Sequence, residues 1–477
     1  MDRRDFIKSS LAAAAACSGA ASFLPVAAQT GGRRVLVLGA GLSGLSAADE
    51  LTKNGYNVTV LEARTRPGGR VYTIREPFSD GLHAEAGAAR IQDTHQYTLR
   101  YIKEFGLALD PFFPSGANNV LLLKGQRFSA PAGTPVDFNK LPLTFTEEEK
   151  KLGFGRSLFK YLLSRMDEMG DVTKHDWLPE NAADFEYSLP DFLRRAGASD
   201  GMVTMTAFGH DFHEMSALMF LRDAALGRET KAFFKIRGGN DQLPKALAAR
   251  LSEKIMYGAP VTRIIQDERS VTVTYLQAGS PKTITGDYVV NTIPLPVMRR
   301  VEVQPLLSKE KRAAIDELDY FNITRVYLQS RKRFWTANGE TGFANADDPM
   351  EIWDYSRDQP GQRGILGVYG SGRTALKFAA QGAGERVRTF LDMTERVFPE
   401  IRENFETGAS HSWINDPWAL GAAAEYKAGQ VSQFSKYLHL AEGRMHFAGD
   451  HTSPWDGWMN GALESGSRAA AEIMARK

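Results

Sequence analysis

Six residues, Gly39-Ala40-Gly41-Leu42-Ser43-Gly44, separate the apolar run Arg34-Val35-Leu36-Val37-Leu38 from a stretch with helical apolar spacing at Leu42, Leu45, Ala48 and Leu51. This is the arrangement a nucleotide pyrophosphate needs. Gly39 permits the tight turn, Gly41 lets the backbone approach the phosphates, and Gly44 lets helix and strand pack closely. The helix N-terminus supplies free N–H groups and a positive dipole end. After Gly55, a second strand from Asn57 to Leu61 ends on Glu62, whose carboxylate can accept from ribose hydroxyls. The loop Ala63-Arg64-Thr65-Arg66-Pro67-Gly68-Gly69-Arg70 follows directly. A small Gly-paired loop with three arginines can close over the pyrophosphate of a larger, permanently held dinucleotide, so FAD is expected rather than NAD. Arg64 and Arg70 are the candidates for charge-assisted contacts. Gly39, Gly41, Leu42, Ser43, Gly44, Glu62, Ala63, Arg64, Gly69 and Arg70 form the first group of candidate cofactor residues.

A second group lies near the C-terminus. Arg444-Met445-His446-Phe447-Ala448-Gly449-Asp450 reads as a short buried strand ending in Gly-Asp, and Pro454-Trp455-Asp456-Gly457-Trp458-Met459-Asn460-Gly461-Ala462 leads into a helix with small residues from Gly461 through Ala471. Together with Gly39 to Gly44, Glu62-Ala63-Arg64 and Gly68-Gly69-Arg70, these residues resemble the flavin-containing amine oxidase family, which includes monoamine, polyamine and L-amino-acid oxidases. The resemblance runs from about residue 33 to the end of the chain. It implies an α/β fold: a Rossmann-like FAD domain of the GR2 type, a mixed-sheet substrate domain and a helical subdomain. It implies that Asp450, in a position usually held by Glu, binds the ribityl chain. It also implies that Trp458, beside Gly457 and Met459, walls the substrate amine. The N-terminus of the last helix would then stabilise negative charge on the reduced flavin. Trp413 and the backbone at Val261, the latter expected against adenine, complete the cofactor set with Gly449.

The clue to substrate is Glu85-Ala86-Gly87-Ala88-Ala89-Arg90-Ile91, followed by His95. It resembles the L-amino-acid oxidase branch, in which an arginine at the Arg90 position holds the substrate carboxylate. A planar guanidinium binds a carboxylate bidentately and so fixes which α-hydrogen faces the flavin. Gly87, Ala88, Ala89 and Arg90 are also expected to border the cofactor. The implied reaction is oxidative deamination of an L-amino acid to a 2-oxo acid, ammonia and hydrogen peroxide, with dioxygen as acceptor. Open alternatives are oxidation of a carboxylate-free primary amine or polyamine, a dehydrogenase using a periplasmic electron acceptor, and a flavoprotein whose FAD is structural.

Three features depart from the family pattern. Arg325, in Asn322-Ile323-Thr324-Arg325, stands where the family often has a lysine acting through water near flavin N5. Arginine stays protonated, so it can orient a water but not act as a base. Trp353-Asp354-Tyr355 occupies a stretch where amino-acid oxidases place a tyrosine near the carboxylate, and an inward-facing Asp354 would suit a cationic group. The segment Trp413 to Ala422 matches the one that carries a flavin-linked cysteine in monoamine oxidases. The only cysteine is Cys17, so non-covalent FAD is expected. The second aromatic wall falls on Ala423, leaving a one-walled pocket or a wall from elsewhere.

These residues must be positioned by a chain of 477 residues with 58 basic and 57 acidic side chains. That length supports more than one domain, and the charge balance argues against nucleic-acid binding. Arg3-Arg4-Asp5-Phe6-Ile7-Lys8, an Ala-rich apolar run and Val26-Ala27-Ala28 read as a twin-arginine export signal over residues 1–28. The apolar run is too short for a spanning helix. A periplasmic or secreted protein is expected, with the twin-arginine machinery as partner, no stable membrane insertion, no metal site, and a homodimer as an open expectation. Residues 32–95, 236–300 and 431–477 are assigned to the FAD domain, 96–235 to the largely helical subdomain and 301–430 to the substrate sheet.

Overall fold

The computed structural model describes residues 32–134, 136–348 and 350–476; residues 1–28, read as an export signal, lie outside them. The apolar run forms strand β1 (Arg34–Leu38), helix α1 spans Leu42–Lys53 and strand β2 spans Asn57–Glu62. β1 and β2 pair in parallel. Two more parallel neighbours, Ile255–Tyr257 beside β2 and Tyr288–Asn291 beside β1, come from the middle of the chain, and Met445–Phe447 adds the far edge. Val35 to Leu38 and Tyr288 to Asn291 are buried throughout, as strands covered on both faces must be. The chain turns at Gly258 (φ +65°) after Ile255–Tyr257, and Val261 begins a separate strand to Gln266.

The C-terminal helix, Met459–Met474, packs along α1. It begins two residues earlier than the small-residue pattern indicated. Glycine makes the close approach possible. A Cβ on Gly466 would sit 2.1 Å from the Ser43 carbonyl oxygen, and one on Gly44 would sit 2.0 Å from that of Gly39. Ser46 Oγ donates to Leu463 O at 3.0 Å across the helix pair.

The second layer is a seven-stranded mixed sheet, in the order 405–412, 323–330, 364–371, 350–354, 340–346, 118–123 and 126–131. Its neighbours are antiparallel except for 340–346 against 118–123. Helices cover 147–161 and 217–226, as the helical spacing of that region requires, but 118–131 is a hairpin. Lys124 and Gly125 both take positive φ there (+49° and +74°), the geometry of a tight two-residue hairpin turn. Among the described residues no helix is long and apolar enough to cross a membrane.

Candidate active site

A cleft enclosing about 1590 Å³ of open space, its solvent-filled mouth included, runs from the α1 N-terminus to the C-terminal motif. Of the candidate cofactor residues, together with Arg90, Arg325, Gly457 and Trp458, all border it except Gly44 and Gly449. Those two act behind the wall. Gly44 permits the packing described above, and Gly449, at φ +132°, donates its N–H to Ser465 Oγ at 2.9 Å.

At the α1 end the chain forms a cradle. Gly41 is the N-cap of α1, with no side-chain cap. A Cβ added to it would meet nothing within 4 Å, so the cleft is open beside this helix start. Gly39 takes φ +114°, and a Cβ on it would lie 2.6 Å from Thr292 Oγ1. The arginine loop closes against this turn: Gly68 donates to Ala40 O at 2.8 Å. Glu62 ties the two together, accepting from Ala40 N at 2.6 Å and Arg64 N at 2.8 Å. Burial raises its pKa above the ordinary carboxylate value, against the lowering by those two N–H groups.

The two arginines chosen for phosphate contact are each engaged by a carboxylate. Arg64 pairs with Asp416 at 2.6 Å, and Arg70 pairs with Asp450 at 2.5 Å while donating to Ala422 O at 2.6 Å. Both still border the cleft. The pairings fix their direction and temper their charge. Trp413 donates its Nε1–H to Ala86 O at 2.7 Å, and a Cβ on Gly87 would collide with Arg70 O at 1.8 Å. Gly87 is thus wedged between the arginine loop and the indole. An open glycine turn at a helix N-terminus, a buried acid at the end of β2 and flanking arginines fit a dinucleotide.

The other end of the cleft is a pocket of aromatic rings and arginines. Arg90 Cζ lies 5.5 Å from the Trp353 ring centroid and 5.9 Å from that of Trp458. Among the described residues Arg90 enters no ion pair with the protein. Arg325, 3% exposed, donates from Nη1 to the Tyr355 hydroxyl at 2.8 Å and stacks on Tyr369 (4.0 Å) and Trp353 (4.8 Å). Its Nε is buried without a partner among the described residues. Strand register builds this wall: Arg325 is opposite His411 on one side and Tyr369 on the other, and Tyr369 is opposite Glu351. Directly opposed residues share a sheet face. Glu351 accepts from Trp353 Nε1 at 3.1 Å and lies 3.1 Å from His210 Nε2. Burial alone would raise its pKa, but His210, Arg90 and Arg325 hold it down to about 2.

Asp354 does not face this pocket. It accepts from Trp335 Nε1 at 3.0 Å and from Ser356 N and Oγ at 2.8 and 2.6 Å. Strand alternation turns Trp353 inward and Asp354 away, so the cation-binding reading of Asp354 falls. Nor is the pocket one-walled. Although Ala423 borders it, Trp353 and Tyr369 supply further rings. Tyr369 and the Thr292-Ile293-Pro294 turn were not singled out from the sequence, and Trp418 entered only within the segment Trp413 to Ala422. Tyr369 lies outside any contiguous motif.

A parallel sheet with a pyrophosphate turn, opening onto a pocket for a small polar substrate, defines a dinucleotide-dependent oxidoreductase. The chain belongs to the flavin-containing amine oxidoreductase family, whose model matches residues 42–474, and it is an FAD-dependent amine or amino-acid oxidase. It is 33% identical over 461 residues to a Bacillus subtilis (strain 168) protein named as a candidate L-amino-acid oxidase, YobN, covering 92% of this chain and 94% of that one. It is 31% identical over 458 residues to the Bothrops moojeni L-amino-acid oxidase BmooLAAO-I, covering 92% and 89%. Solved structures with the same fold include putrescine oxidase bound to putrescine (TM-score 0.81, 22% identity, covering 93% of this chain and 99% of that one). Cyclohexylamine oxidase from Brevibacterium oxydans IH-35A is another (TM-score 0.80, 24%, covering 93% and 98%).

Proposed function

We propose that the protein deaminates an L-amino acid oxidatively, giving a 2-oxo acid, ammonia and hydrogen peroxide. The observation that carries this reading is Arg90. It borders the cleft, lies between two indole rings, and has no carboxylate of the protein on its guanidinium among the described residues. A substrate carboxylate fits there bidentately. The relatives named as L-amino-acid oxidases support it.

Non-covalently bound FAD would supply the acceptor for the hydride of the substrate Cα–H bond, with dioxygen as the final acceptor of the two electrons. The protein's part is placement. Arg90 holds the carboxylate, Trp458 walls the neutral amine, and the rings of Trp353 and Tyr369 exclude water from the α-carbon. Arg325, fixed by Tyr355 and unable to deprotonate, presents a buried Nε–H that can orient a water. No protein nucleophile or general base is needed, so rate comes from orientation and electrostatics.

A second reading, oxidation of a carboxylate-free amine, draws on Glu351, a carboxylate held ionised beside Arg90 and Arg325, and on structural neighbours named for putrescine and cyclohexylamine. A panel of L-amino acids and amines, assayed for peroxide and for 2-oxo acid, separates the two readings. Turnover of amines with none of any amino acid would overturn the first. We also infer that residues 1–28 direct export of the FAD-loaded protein to the periplasm or beyond. Changing Arg3 and Arg4 to Lys should retain it in the cytoplasm.

A further inference from the structure

His95 follows Arg90 by five residues and is 1% exposed. Its ring packs against Trp458 at 4.9 Å between centroids, with the planes at 73°. His95 Nδ1 accepts from Gln92 N at 3.3 Å. A nitrogen that accepts carries no proton, so the proton of the neutral ring belongs on Nε2. Nε2 is buried and has no hydrogen-bond partner among the described residues. The aromatic ring packed edge-to-face with the imidazole is the Trp458 indole. An N–H edge directed at an aromatic face is favourable because the face carries partial negative charge.

His95 stands at the N-cap position of the helix Gln96–Glu104, yet its side chain caps nothing. That work is done by Asn460 Oδ1, which accepts from Tyr97 N at 3.0 Å and Thr98 N at 3.3 Å. Asn460 lies two residues beyond Trp458, so this helix start and the Trp458 loop are fastened together independently of the imidazole. Helix capping therefore does not account for a buried histidine here. Burial also holds the ring neutral, with its pKa down to about 4.

We propose that His95 is a positioning residue for Trp458, with Nδ1 locked on the Gln92 N–H and Nε2–H directed at the indole face. It fixes the ring that walls the substrate amine, at a set distance from the carboxylate site at Arg90. The kinetic consequence rests on the placement of the amine at Trp458 proposed above; the tautomer does not.

The test uses holoenzyme labelled with 15N-histidine. A long-range 1H–15N correlation spectrum at neutral pH, assigned by difference from His95→Gln, should show the Nε2–H tautomer, and an Nδ1–H form or an imidazolium overturns the proposal. His95→Phe keeps a ring but removes the N–H. It should raise KM for the amine-bearing substrate about two- to tenfold, the worth of one aromatic contact. The smaller effect should fall on kcat, and inhibition by benzoate, held through Arg90 alone, should not change. His95→Gln, which keeps an amide N–H, should recover most of the loss. Wild-type KM in His95→Phe, or parallel losses of kcat, KM and Tm in both variants, would overturn it. Trp458→Phe with unchanged KM alongside the expected tautomer would instead refute the placement of the amine. Should His95→Phe not fold, the tautomer assigned from His95→Gln alone decides.

Discussion

Arg325 and Tyr355 are joined by a 2.8 Å hydrogen bond from guanidinium to phenol, both groups buried beneath the aromatic wall of the pocket. The bond fixes the one cation that stands where the family often carries lysine. Tyr355→Phe removes the acceptor and leaves a buried donor unpaired, a cost of about 1–3 kcal/mol. We expect kcat/KM to fall about five- to a hundredfold with FAD content unchanged. Arg325→Lys, which restores the family residue, should keep activity within about tenfold and change the rate of flavin reoxidation. Stopped-flow reoxidation in air checks both.

The Arg70–Asp450 pair joins the arginine loop to the C-terminal motif across the cofactor cleft. Burial opposes the charge of Arg70, but Asp450 outweighs it and holds the arginine pKa up. Asp450→Ala strands that cation, and breaking a buried pair costs about 3–5 kcal/mol. FAD occupancy and Tm should both drop, while Asp450→Glu, the acid usual in the family, should retain the flavin. The absorbance ratio of flavin to protein in the purified variants measures this.

Gly466 sets the spacing of the first and last helices, and Gly44 that of the first helix and the turn after β1. Alanine at either would drive a methyl group to about 2 Å from a carbonyl oxygen, an overpacking cost of about 1–3 kcal/mol or more. Tm should fall and FAD should be lost on dilution. Gly55→Ala, where a Cβ would meet nothing within 4 Å but φ is +82°, should cost less and leave FAD binding intact.

Acid stability follows from two buried histidines. Burial lowers the pKa of both His95 and His451 from 6.5 to about 4. The unfolded chain binds those protons first. Their contribution is therefore complete above pH 6.5 and is lost as pH falls through about 4. Tm should decline steadily between these values, and His451→Gln should flatten the decline. A Tm independent of pH across that window would refute the burial of these rings as neutral groups.

The Gly39–Gly44 turn and the Trp458 motif were legible because their signals are contiguous: glycine spacing at a strand end, and an aromatic leading into small residues. The wall that faces the substrate was not. His411, Arg325, Tyr369 and Glu351 meet through cross-strand register, which local sequence does not encode. The partners of Arg64 and Arg70 lie 352 and 380 residues away along the chain. Asp354 illustrates the cost of a phase error of one residue, since alternation along Met350–Asp354 decides that Trp353 turns inward.

The central claim is that Arg90 selects an amino acid by its carboxylate. Anaerobic titration of the yellow holoenzyme, followed by the visible flavin band, tests it directly. The wild type should be bleached by at least one L-amino acid and not by putrescine or cyclohexylamine. Arg90→Ala should need about a hundredfold more of that amino acid, the worth of a bidentate charged contact. Bleaching by amines and by no L-amino acid, or an Arg90→Ala variant that titrates as the wild type does, would contradict it.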